Sequence, residues 1–231
     1  MQTPHRDTNL FQTALVRTTW LARLRTLPLA LPLALLAGLL LRVLLWGQIP
    51  RTQLISDEGE YLSAATWMAQ GRGLSWYQNY LWTRAPLYPA FLAMHLRLFG
   101  QTLLPIMITQ TVLSLVNVGL VFVLARHLAA ELLPDQRRPI AAIAAVLMAL
   151  YFPFAVYTQV LLSETVYLTL LLGGCVLLAF WMRNQAVARS RRSLIAAGML
   201  FGLATLTRSL TLPFVPIVAL WIWSSAAARP R

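Results

Sequence analysis

Five apolar stretches, at 27–46, 102–125, 140–157, 161–182 and 194–223, restrict the fold of this chain more than any other feature. A helix crossing the hydrocarbon core of a bilayer needs about 20 mostly apolar residues. The first four stretches fit one crossing each. The fifth would measure about 45 Å as a single helix, and it contains Arg208, Pro213 and Pro216. Two short helices meeting near Arg208 fit it better, with one kinked and tilted helix as the alternative. The chain is 58% hydrophobic and 11% charged, more apolar than a soluble core of this size requires. The expected fold is all-α, a polytopic membrane helix bundle of about six spans.

Arginine placement orients the bundle. All nineteen basic residues are arginine, and the net charge is +12. In a soluble protein that balance would suggest nucleic acid; here it follows the enrichment of basic residues in cytoplasmic loops, and no nucleic-acid partner is expected. With the amino terminus inside, thirteen of the nineteen arginines fall on the cytoplasmic side, in segments 1–26, 126–138, 183–192 and 226–231. The resulting plan is a polar cytoplasmic tail (1–26), a membrane domain (27–225) carrying a long extracytoplasmic loop (47–101), and a short cytoplasmic tail (226–231). Arg17, Arg23 and Arg25 ahead of an apolar run resemble a signal peptide, but no small-residue cleavage site follows, so the run reads as an uncleaved first span. The single cysteine, Cys175, excludes an intrachain disulfide.

The chain has seven carboxylates, and three of them, Asp57, Glu58 and Glu60, fall in "LISDEGEYLSAA". Ser56 as cap and Gly71 as stop predict an interfacial helix between them. At ~100° per residue, Asp57, Tyr61, Ala64 and Met68 share a face, which directs Asp57 along the apolar side. Acids opening a helix also complement its dipole, at ~0.3–1 kcal/mol each, and this simpler account stands beside a chemical one. Arg208, inside "GLATLTRSLTLPF", must reach an interface, a partner or a water-filled cavity. Glu164, in "LLSETVYL", sits at the outer end of the fourth span. Arg42, one turn from the outer end of the first span, and Arg97, beside the interface, read as structural residues able to snorkel. Neither GxxxxGK[ST] nor GxGxxG occurs, so no nucleotide cradle is indicated, and the histidines lack metal-ligand spacing.

The ordered set "SDEGEYLSAATWMAQGRGLSWYQNYLWTRAPLYPAFL", "LLSETVYL" and "GLATLTRSLTLPFVP" resembles the amino-terminal half of GT-C integral membrane glycosyltransferases. Within that group it is similar to bacterial members related to protein O-mannosyltransferases and to the aminoarabinose transferases of lipid A. The resemblance covers roughly residues 27–223. It implies a GT-C-like bundle in a bacterial plasma membrane, moving a sugar from a polyprenyl-phosphate donor to a lipid, glycan or protein acceptor hydroxyl on the extracytoplasmic face. Asp57 matches the family's catalytic acid, with Glu58 as its neighbour. Arg84 and Arg208 match basic positions that meet the carrier phosphate, and Tyr88 and the aromatics around Trp76 are expected to flank sugar or lipid. Glu164 would orient the acceptor, or a divalent metal where relatives use one; no cofactor is otherwise implied. Members of the group are generally longer, so the chain reads as a fragment, as a short relative that takes further helices from a partner chain, or as a form that has lost activity. The alternative is a non-catalytic membrane module that binds lipid carriers or assembles with a partner.

Overall fold

The computed structural model describes residues 29–48, 54, 57–76, 80–81, 84–183 and 187–227. Ser56 and both proposed tails, except residues 226 and 227, lie outside the described residues, as does the side chain of Trp76. The described chain is helical: α1 (Ala30–Leu44), α2 (Glu58–Ala69), α3 (Leu87–Phe99), α4 (Leu104–Leu132), α5 (Arg137–Leu150), α6 (Phe152–Val156), α7 (Glu164–Arg183), α8 (Val187–Thr207) and α9 (Phe214–Ala227). A small antiparallel hairpin, β1 (Ser75–Trp76) and β2 (Tyr80–Leu81), interrupts the segment between α2 and α3. Leu104–Leu132 and Glu164–Met182 are long and apolar enough to cross a membrane, while Ala30–Leu44, Leu87–Phe99 and Ser209–Ser224 are shorter apolar helical segments. This is a helical membrane fold.

Local signals account for the helix ends. Gly71, at φ +77°, closes α2 with Gly71 N–H donating to Met68 O and Arg72 N–H to Trp67 O, both at 3.0 Å; a left-handed glycine turn of this kind satisfies carbonyls that would otherwise be left open. The stretch 140–157 does not form the single helix expected from its hydropathy. It breaks at Tyr151, which is extended, and resumes as the short α6 with Pro153 in its first turn, where a missing N–H does no harm. The fifth stretch divides as expected. Helix α8 ends at Thr207, Arg208 is extended (φ −148°, ψ 127°), and a 3₁₀ turn leads to α9.

Packing within the bundle uses small residues, which let helix axes approach where no water is available to drive association. The buried positions of α1 are Ala34, Gly38 and Arg42, and those of α5 include Ala141, Ala145 and Ala149, each set at four-residue intervals. A Cβ at Gly38 would sit 3.2 Å from the Cβ of Ala149, and one at Gly174 would sit 2.8 Å from the Phe201 ring of α8. Both contacts therefore depend on glycine. A second cluster packs α2 against α3 and the start of α4, through Tyr61, Ala64, Ala65, Tyr88, Leu92, Leu96 and Ile106. Arg97 on α3 donates to Ala69 O (2.9 Å) and Met68 O (3.2 Å) at the end of α2. It caps the end of α2, the structural role expected of it.

Irregular backbone between α6 and α7 is supported from α4. Gln110 Nε2 donates to Val160 O (2.9 Å) and Thr158 O (3.2 Å), Ser114 Oγ to Phe154 O (3.3 Å) and Asn117 Nδ2 to Thr165 O (3.4 Å). These three polar residues, one or two turns apart on one face of a spanning helix, supply the donors that lipid cannot. Gln110 holds the 157–163 segment itself, Ser114 and Asn117 hold the helices on either side of it, and this segment carries part of the site.

Candidate functional site

Helix α2, the approach to α3, the start of α7 and the α8–α9 junction meet at one end of the bundle. Arg84, two residues before Pro86 at the start of α3, lies between the acids of α2: Nη1 is 2.8 Å from Asp57 Oδ2 and Nη2 is 2.9 Å from Glu60 Oε2. The fork of a guanidinium suits two carboxylate oxygens at once. Burial works against the Arg84 charge, but the carboxylates of Asp57 and Glu60 outweigh it and raise its pKa. A second pair forms between Arg208 Nη1 and Glu164 Oε1. The other Glu164 oxygen, Oε2, is buried without a hydrogen-bond partner.

Tyr61 stands between the two pairs. It is 7% exposed, lies edge-on to Tyr88 with ring centroids 4.9 Å apart, and its hydroxyl is 3.4 Å from Ser163 Oγ, immediately before Glu164. Its phenol lies within electrostatic reach of both Arg84 and Arg208. Tyr167, one turn along α7 from Glu164, also lies near Arg208, and its hydroxyl accepts from Thr211 Oγ1 at 3.2 Å. The site therefore has two arginines, three partnered carboxylates and two tyrosines.

The sequence-predicted residues divide into two groups. Asp57, Arg84, Glu164 and Arg208 are partly exposed and share this end of the bundle. Glu58 and Tyr88 do not belong with them. Glu58 is wholly buried and its Oε1 accepts from Leu161 N–H at 2.6 Å, so it serves the irregular segment and is not a free neighbour of Asp57. Tyr88 is also wholly buried and donates to Gln110 Oε1 at 2.8 Å; a side chain with no exposed surface packs the core and does not flank a ligand. The face expected to be apolar is buried at Tyr61 and Ala64, with Met68 packed against the same core, but Asp57, the residue before α2, leaves it: its side chain is 45% exposed and turns to Arg84. Glu60, Tyr61 and Tyr167 were not singled out as site residues. The signal for the tyrosines was their spacing, four residues after Asp57 and three after Glu164.

A divalent metal fits this arrangement poorly. Asp57 and Glu60 both turn to Arg84, Glu164 is committed to Arg208, and among the described residues no group of three or more His, Cys, Asp or Glu converges.

A helical membrane protein with paired arginines and carboxylates at one end of its bundle is the class that these observations define. Residues 83–230, well over half of the chain, match the sequence model of the dolichyl-phosphate-mannose-protein mannosyltransferase family. The chain belongs to that family of membrane glycosyltransferases, and its fold is GT-C-like. Searches of curated proteins and of solved structures found no match. Arg84, Tyr88, Glu164 and Arg208 fall inside the matched segment, whereas Asp57, Glu58 and Glu60 precede it.

Proposed function

We propose that this protein moves a sugar, mannose being the one that the family's description points to, from a polyprenyl-phosphate carrier to an acceptor hydroxyl on the extracytoplasmic face of a bacterial plasma membrane, which its helices cross several times. The observation that carries the reading is the meeting of Asp57 and Arg84 with Glu164 and Arg208 around Tyr61. In the reaction the acceptor oxygen bonds to the anomeric carbon, the bond from that carbon to the carrier phosphate oxygen breaks, and the phosphate leaves with the electron pair. Asp57 accepts the hydroxyl proton. Arg84 and Arg208 stabilise the charge that develops on the departing phosphate, which fixed donors do most effectively where water is scarce. Glu164 orients Arg208 through Oε1, while its other oxygen is buried without a hydrogen-bond partner.

A second reading, a membrane module that binds the carrier or a partner chain without transferring sugar, is favoured by the mutual neutralisation of these charges. Membranes containing the wild type or Asp57→Asn, supplied with a polyprenyl-phosphate-linked sugar, separate the two. Loss of a general base is expected to slow transfer by ~10²–10⁴-fold. Equal transfer by both forms would remove Asp57 from the chemistry, and none by either would favour the module.

A further inference from the structure

Three carboxylates, Asp57, Glu60 and Glu164, meet two guanidinium groups, those of Arg84 and Arg208. An incoming phosphate monoester or diester therefore finds no unengaged arginine in this cluster and an excess of one negative charge. The forked face of Arg84, with both terminal nitrogens, opens to it only if a carboxylate gives way. The two acids on Arg84 are not equivalent. Asp57 is the more exposed, at 45% against 33% for Glu60, and it is the shorter side chain. It caps α2 by position only, with no hydrogen bond from its carboxylate to the first-turn N–H groups, so a released Asp57 remains beside the positive end of the helix. Glu60 lies within α2, next to the buried Tyr61.

We infer that a lipid-linked phosphate displaces Asp57 from Arg84 while Glu60 keeps the guanidinium in place, so that the carboxylate of Asp57 becomes available only in the donor complex. Asp57 on Arg84 is then a self-inhibiting contact, and Glu60 is a positioning residue acting through Arg84. The inference rests on the proposed function for the identity of the phosphate, but it concerns binding and order rather than transfer. Donor enters first, and acceptor is deprotonated afterwards. An acceptor hydroxyl arriving before the donor meets a carboxylate already engaged by Arg84.

The test compares the full chain in detergent micelles with its Asp57→Asn and Glu60→Gln variants, titrated with farnesyl phosphate and, separately, with uncharged farnesol. Removing the competitor should tighten farnesyl phosphate binding to Asp57→Asn by about two- to fivefold, the equivalent of one exposed ion pair. Glu60→Gln should bind it no more tightly than the wild type, because the lost negative charge is offset by a less well held Arg84. Farnesol should bind all three alike, which reports that each is folded and that the effect belongs to the headgroup. Equal tightening by both variants would reduce the effect to net charge and overturn the inference, as would unchanged binding by Asp57→Asn. Farnesyl phosphate binding no better than farnesol in every form would overturn this inference and the proposed function together. Selective tightening in Asp57→Asn without sugar transfer by the wild type would leave the exchange standing and remove the transferase reading alone.

Discussion

Arg42 and Arg84 show two ways of keeping a guanidinium in one small membrane protein. Arg42 is wholly buried where α1, α4 and α5 meet, and among the described residues no carboxylate pairs with it. Its donors reach Ser114 Oγ (2.6 and 3.2 Å), Gly38 O (2.8 Å) and Ala149 O (3.2 Å). Arg84 is 41% exposed and holds two carboxylates. The buried cation is fixed by neutral dipoles from three helices, and the exposed one by charges that solvent can replace. Ala149 O, in the last turn of α5, is a carbonyl that its own helix leaves open, so Arg42 also closes the break before α6. Exchangeable partners are what a binding site needs; fixed ones are what a bundle needs.

The comparison breaks most readily at Ser114. Ser114→Ala leaves Nε and one Nη2 donor of a buried charge without their acceptor, and this should cost ~1–3 kcal/mol or more, since unsatisfied charged groups are the most expensive. Thermal unfolding in detergent should show a clear fall. A drop no larger than that of an exposed-pair variant would mean that Arg42 finds another partner or reaches water. A smaller effect is expected at Gly38→Ala. The added Cβ would meet Arg42 Nη1 at 3.1 Å and Ala149 Cβ at 3.2 Å, and overpacking of this kind costs ~1–3 kcal/mol, against a helix-propensity gain of ~1 kcal/mol. Net destabilisation of about 1 kcal/mol, by the same measurement, would locate the α1–α5 contact at this glycine.

Hydropathy and turn chemistry made much of the fold legible. Gly71 ends α2 where the sequence placed its stop, and Arg208 divides the fifth apolar stretch, because local signals alone determine both. Glu164 and Arg208 were expected on one side, and they pair. The errors came from tertiary demand. The face of α2 chosen from periodicity is buried at Tyr61 and Ala64, but the carboxylate of Asp57 turns out to Arg84, a partner from beyond the helix. Glu58 is buried beside that face because its carboxylate accepts from the N–H of Leu161, 103 positions away. Arg42 read as able to snorkel because it lies one turn from the end of the first span; Ser114 and Ala149 hold it instead, from helices that the sequence does not show to be neighbours. Tyr88 read as a ligand-facing aromatic, its true partner Gln110 lying on the next helix.

The weakest stability effect should come from the second exposed pair. Arg208 and Glu164 are 38% and 27% exposed, and pairs of that kind contribute ~0–1 kcal/mol once solvent screening is included. Glu164→Gln keeps a hydrogen-bond acceptor for Arg208 and removes one charge, so its unfolding temperature in detergent should lie close to that of the wild type, well above that of Ser114→Ala. Sugar transfer should respond differently. Arg208 loses the charge that orients it, and the carboxylate oxygen that has no hydrogen-bond partner in this structure is replaced by an amide. Slower transfer with near-native stability would therefore set this pair with Arg84, among the partners held for exchange. A stability loss as large as that of Ser114→Ala would instead move it to the structural side, with Arg42.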